Sequence, residues 1–427
     1  MLIRFSLYGF LKNQAYFEPF LILAFREKGL SFFQIGLLIG FRELCVNLFE
    51  VPSGAVADLY GRRRSLIFAF AAYIVSFLLF AWAADLSALF FAMFAFALGE
   101  AFRSGTHKAM IFDWLRSQDR LAERTRIYGV TRSWSKMGSA LSVLIAAGFV
   151  FAGASYSQVF LLTVVPYLMG IVNFMGYPAF LDGPRREKVA LRPIATHLRE
   201  ALRQAALHPP LRRLMAESMS FEGTYKATKD YVQPVIKQTA LGLALLTGLE
   251  AGQRVAVLTG GVYFILHLLS SAASRGAHRL SRAAGSEKAA ARVLWAVNAL
   301  LYGLLAASLW LGWRGTVIAC FVALAVAQNL WRPALISRFD AHSSAQAGAT
   351  VLSIESQAQT VATMLLAPAL GFAVDRLGLW PVGLAGFLLS APFALEGLRG
   401  LRAGGLRRRG PGAAEGPAGW PLPGGRG

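Results

Sequence analysis

Seven stretches of this chain run for about the thickness of a bilayer without an Asp, Glu, Lys or Arg. They are Ser65 to Ala84, Met137 to Leu181, Val255 to Ser274, Val293 to Trp313, Gly315 to Trp331, Ser356 to Val374 and Leu377 to Leu395. About 18 or more consecutive apolar residues mark a transmembrane helix, since a helix rises ~1.5 Å per residue through ~30 Å of hydrocarbon. The stretch from Met137 is long enough for two crossings, with the small and polar residues 152–158 as the turn between them. Barrel strands would alternate in units of about ten residues, and these runs do not alternate. Four further segments are apolar but carry charges: Phe5 to Phe25, Phe32 to Val56, Leu86 to Leu115 and Leu211 to Ile236. Together they predict an all-α membrane protein of twelve transmembrane helices.

Composition agrees. Charged residues are 15% of the 427, against ~25% in an ordinary soluble domain. Lys and Arg number 43 against 23 Asp and Glu, a net charge of +20. On a soluble chain that excess would point to nucleic acid. Here it gathers in alternate connections, around 62–64, 116–126, 185–213 and 275–292. The positive-inside rule puts those loops and both termini in the cytoplasm, so a plasma (inner) membrane protein without a nucleic-acid partner is expected. The first helix has no small-residue cleavage site after it and reads as a span. Cys45 and Cys320 lie in apolar stretches and read as small buried hydrophobes.

The long basic connection divides the chain into residues 1–181, a first six-helix bundle, and 211–398, a second. Residues 182–210 form a linker in which Arg192 to Leu207 can make an amphipathic surface helix. Residues 399–427, rich in Gly, Pro and Arg, read as a disordered tail; Arg407 to Arg409 either touch anionic lipid or are merely solvated.

Between the second and third spans the chain reads Gly54-Ala55-Val56-Ala57-Asp58-Leu59-Tyr60-Gly61-Arg62-Arg63-Arg64-Ser65-Leu66. This resembles the G-x-x-x-D-x-x-G-R-R/K-x-x-L signature of the major facilitator superfamily (MFS), a class of secondary transporters, and falls where that family carries it. The resemblance extends over residues 1–398. It implies two parallel six-helix repeats, a solute site near the midplane between them, and alternating access. It also implies a gate motif at Gly54, Asp58, Gly61, Arg62, Arg63 and Arg64. Glycine permits close helix approach, Gly61 permits a turn, and Asp58 can pair with loop arginines or sit at a helix N-terminus. The corresponding connection of the second half, 274–285, keeps the basic character but lacks the aspartate.

An ionisable residue inside a span is costly in lipid and should face a cavity or a partner. The fourth span carries Glu100, Arg103 and His107 on one face, with Lys108 beside them. The seventh carries Glu222, Lys226 and Asp230 at i, i+4 and i+8, flanked by Tyr225 and Lys229. With Lys12 and Glu18 of the first span, Arg332 of the tenth and Glu355 of the eleventh, these form the expected solute or proton path. Arg132, Lys136, Asp113 and the Arg42-Glu43 pair read as interfacial or structural, and His267 as a core histidine. The prolines 19, 52, 166, 234 and 368 are possible pivots.

No GxxxxGK[ST], HExxH or GxSxG occurs, so no P-loop ATPase, zinc protease or serine-hydrolase chemistry, no cofactor and no metal are expected. The expected function is transport of a small polar solute, anionic or zwitterionic, coupled to a proton, by a monomer in contact with membrane lipid. The runner-up is a proton-coupled multidrug exporter, although the fifth span has Gly138-Ser139-Ala140 and no proline, unlike the drug-antiporter signature. From other classes there remain a lipid flippase or scramblase and a non-transporting membrane sensor.

Overall fold

Helices begin and end where the sequence offers polar punctuation. In the computed structural model, which describes residues 1–182, 208–340 and 348–407, the first crossing is split. Helix α1 (Leu2–Lys12) stops at Asn13, and a 3₁₀ turn at Glu18–Phe20 leads into α2 (Leu21–Glu27). Pro19 supplies a helix start there because its missing N–H needs no partner. Then come α3 (Phe32–Tyr60), capped by Ser31 and Gln34 in a reciprocal box, and α4 (Arg62–Trp82). The fourth crossing is α5 (Leu86–Arg103) and α6 (Thr106–Ser117), separated at Gly105, whose φ is +70°. Helices α7 (Arg124–Phe151) and α8 (Gln158–Met175) complete the first bundle, with the turn between them at the expected place.

The seventh crossing is also broken. Helix α9 (Pro209–Ser218) passes through a π turn at Met219–Gly223 into α10 (Thr224–Thr228), then through a 3₁₀ turn at Lys229–Tyr231 into α11 (Val232–Gly242). Helices α12 (Ala251–Ala283), α13 (Glu287–Leu311), α14 (Arg314–Asp340), α15 (Gly348–Leu377) and α16 (Trp380–Arg407) follow. Among the described residues, nine helices are long and apolar enough to cross a membrane. The expected twelve crossings are consistent with this: the other three are the broken first and seventh crossings and α16. Residues 183–207, where the surface helix is expected, and 408–427 of the expected tail lie outside the described residues. Helix α16 continues past 398 to Arg407.

Within the first bundle α4 packs on α5 and α8, and α3 on α5; in the second, α13 packs on α14 and α16. An aromatic core including Phe70, Tyr73, Phe77, Phe160 and Tyr167 fills the first. Phe221, Trp295 and Trp331 anchor the second. Large apolar side chains such as Phe91 and Leu300, each 70% exposed, face outward, as lipid requires.

The bundles meet along α3–α15 and α7–α12. The first seam depends on small residues: a Cβ on Gly40 would stand 2.8 Å from the Met364 carbonyl oxygen. Its far end is closed by Asp375, whose carboxylate accepts from the N–H groups of Phe32 (2.9 Å) and Phe33 (2.7 Å). Gln233 of α11 reaches into the break of the first crossing. It donates to the Glu18 carbonyl (2.9 Å) and accepts from the Ile22 N–H (2.8 Å). Among the described residues, these cross-bundle hydrogen bonds lie between mid-height, where Asn47 bonds Thr360, and the face opposite the basic loops.

Candidate functional site

A cavity of about 420 Å³ opens in the first bundle, between α1, the α5–α6 break and α7. Its lining includes Lys12, Arg103, Lys108, Arg132 and Lys136 and no carboxylate. Each side chain has a structural reason to be there. Arg103 closes α5, where a cation suits the helix C-terminus, and its Nε donates to the Tyr73 hydroxyl at 3.1 Å. Glu100 lies one turn back, 4.0 Å from the guanidinium. Lys12 ends α1 in the same way. Arg132 and Lys136, one turn apart on α7, point into the same space. Lys108 sits 5.7 Å from the Phe112 ring centre and 5.8 Å from that of Tyr128.

His107 also lines this cavity but is held on several sides. Its ring stacks on Tyr8 at 3.7 Å, and its Nε2 lies 3.1 Å from the Tyr177 hydroxyl. That hydroxyl donates to the Arg4 carbonyl at 3.2 Å, so the imidazole is the donor in the first contact.

A second cavity, about 290 Å³, shares Lys136 with the first and is otherwise lined mostly from the second bundle. Lys229 there pairs with Asp230 at 3.0 Å and, across the bundles, with Glu18 at 3.4 Å. Tyr225, His267, Gln328 and Asn329 complete its polar wall. His267 therefore borders a cavity rather than lying in a closed core.

Deeper in the second bundle, Arg332 stands between two buried carboxylates, 2.8 Å from Glu355 and 4.0 Å from Glu222. Gln328 donates to Glu222 at 2.9 Å, and Ser218 to Glu355 at 2.5 Å. Gln359 also bonds Glu355. One oxygen of each acid, Glu222 Oε1 and Glu355 Oε2, is buried without a hydrogen-bond partner.

The path residues thus fall into three groups, and two expectations change. Glu222, Lys226 and Asp230 do not make a stripe, because the π and 3₁₀ turns around α10 reset the helical phase. Asp230 is engaged by Lys229 and Glu222 by Gln328, so neither is paired with Lys226, which borders neither cavity. Arg132 and Lys136, expected to be interfacial, line the first cavity. Their spacing on one helix face was visible in the sequence, but not their depth.

At the gate motif, Gly61 has φ +101°, and its neighbour is the Asp182 carboxyl, 2.9 Å from where a Cβ would stand. Asp182 accepts from the Arg63 N–H at 2.9 Å, capping α4 from the end of the first bundle. Arg63 also donates to the Tyr177 carbonyl at 3.0 Å, and Arg62 pairs with Asp113. Gly54 makes no close approach: nothing lies within 4 Å of its Cβ position. Arg64 is exposed. The Asp58 side chain lies outside the described residues. Nothing in the motif itself foretold Asp182, some 120 residues distant.

A model of the Major Facilitator Superfamily matches residues 5–361. YxaM of Bacillus subtilis (strain 168), an uncharacterised MFS-type transporter, is 30% identical over 161 residues, 36% of this chain and 37% of that protein. Among solved structures, the nucleoside transporter NupG superposes with a TM-score of 0.73 at 10% identity, covering 94% of this chain and 98% of that one. A POT family transporter in complex with a thioalcohol-conjugated peptide gives 0.69 at 13%, covering 96% of each chain. A D-xylose-proton symporter gives 0.67 at 14%, covering 93% and 95%. Identities this low speak for the fold alone. With the family match over most of its length, the chain belongs to the major facilitator superfamily: it is an integral membrane secondary transporter with the MFS fold and not an enzyme.

Proposed function

We propose that this transporter moves a small anionic or zwitterionic solute by alternating access, coupled to protons. The observation that carries the reading is the first cavity, with five Lys and Arg side chains and no carboxylate in its lining. Like charges so close repel outside bulk water, and an arriving anion relieves that repulsion. Arginine adds two-pronged contacts to carboxylate or phosphate. A volume of about 420 Å³ falls in the range of small-molecule sites. The solute carries its negative group to Arg103, Lys12 and Arg132, and Lys136 leads from there to the second cavity. Lys229 is engaged by two acids and plays no direct part, which narrows the sequence expectation.

The basic loops face the cytoplasm in this reading, with both termini, in the plasma (inner) membrane. The cross-bundle contacts then close the outer half, and the cavity belongs to an inward-facing state. Proton coupling rests on Glu222 and Glu355, two buried acids that share one guanidinium, each with one oxygen that accepts no hydrogen bond. Protonating one acid balances the group's charge. Uptake into proteoliposomes under imposed pH or sodium gradients tests this. Anion movement should follow the pH gradient in wild type and lose that dependence in Glu355→Gln. Transport that ignores pH and follows sodium would contradict it.

A further inference from the structure

A third cavity, about 460 Å³, lies at the basic face of the second bundle, where α9, α13, α14 and α16 come together. It has no part in the solute path. Four cations border it, and two are already answered. Buried Glu217 accepts two hydrogen bonds from Arg338 (2.6 and 3.0 Å) and one from Arg213 (3.1 Å), which also pairs with Glu396 at 2.6 Å. Lys288 and Arg292, one turn apart on α13, have no acidic partner among the described residues. Lys288 is exposed and Arg292 partly so, its stem lying against Gly397 of α16. The apolar wall is the stacked pair Trp295 and Phe393, 4.5 Å between ring centres.

Below this mouth α13 turns an apolar ridge outward. Val293, Val297, Leu300 and Leu304 share one face at helical spacing, about a third of a turn round α13 from Arg292, and are 43%, 38%, 70% and 41% exposed. Unpartnered cations at the end of a membrane helix, beside an exposed aliphatic ridge on its adjoining face, match a molecule that is phosphate at one end and hydrocarbon at the other. A soluble anion would use the cations and leave the ridge idle.

We propose that this cavity holds the headgroup of an acidic phospholipid. The phosphate is bound by Lys288 and Arg292, the glycerol lies against Trp295, and an acyl chain follows the ridge of α13. At about 1 kcal/mol per basic residue near an anionic lipid surface, removing both cations weakens the lipid about 30-fold.

The test uses the full chain purified in a neutral detergent, titrated with phosphatidylglycerol and, separately, with free glycerol phosphate. Thermal unfolding and native mass spectrometry of retained lipid are the readouts. Phosphatidylglycerol should raise the unfolding temperature and remain bound, whereas glycerol phosphate at the same concentration should do neither. Lys288→Gln with Arg292→Gln should weaken the lipid effect about 30-fold. Arg275→Gln with Arg279→Gln, on the same face outside the cavity, should leave it unchanged. Equal stabilisation by glycerol phosphate would make the site one for a soluble phosphate ester and overturn the proposal. So would an undiminished lipid effect in the Lys288/Arg292 variant, or an equal loss in the Arg275/Arg279 variant.

Discussion

At the scale of single residues, charges inside the bundles divide into those held by a partner and those left to meet a solute. Glu217 is 2% exposed and engaged by two guanidinium groups and the Trp295 indole. Removing it leaves Arg338, whose side chain is 11% exposed, without this anion, and breaking a buried pair from one side costs about 3–5 kcal/mol. Glu217→Ala should therefore lower the unfolding temperature sharply with or without solute. Lys12→Gln should do the opposite: stability stays within about 0.5 kcal/mol, while solute affinity falls about tenfold. Thermal unfolding and equilibrium binding on both variants check the contrast. Residue types were legible in the sequence, because any Lys or Glu inside an apolar run stands out. Their pairing was not. Lys229 meets Glu18 across 211 positions, and no local spacing encodes such a contact.

Elements were legible where hydrophobicity alone decides them. The uncharged run Val255 to Ser274 lies within α12, and the run from Val293 stays helical in α13 as far as Leu311. The first, fourth and seventh crossings, each read from the sequence as one span, are interrupted. The break after Lys12 persists because Gln233 satisfies backbone groups of the neighbouring turn, and that amide comes from the other bundle. Such breaks at mid-membrane need a protein or water partner, since lipid offers none. The α3–α15 seam leads to a prediction. Asp375 caps α3 across the bundles, an interaction of about 1–2 kcal/mol. Asp375→Ala should favour opening of that end about 5- to 30-fold. A single cysteine at Phe33 would then be labelled faster from the outside by a membrane-impermeant reagent. Unchanged labelling would show that the glycine packing alone holds the seam.

On the scale of the whole molecule, two bundles joined on one side of the midplane and a cavity on the other describe one end-state of a rocking transporter. We expect the gate motif to act in the opposite end-state. In the present arrangement Arg62 and Arg63 are engaged inside the first bundle, by Asp113 and Asp182. We expect Asp58 and Arg62 to hold the basic face closed when the bundles rock over. Asp58→Asn should reduce transport strongly with expression and unfolding temperature near wild type. Wild-type transport rates in that variant would show that the motif is no latch.

The central claim is that the first cavity is built for negative charge. Its most direct test compares solutes of matched shape, each carboxylate or phosphate against its uncharged amide or ester, by thermal shift and equilibrium binding to the purified protein. The account predicts that at least one anion binds, that its neutral twin does not, and that Arg103→Gln or Arg132→Gln weakens the anion about tenfold or more. Binding that favours the neutral or cationic member of each pair, or anion binding untouched by both substitutions, would contradict it.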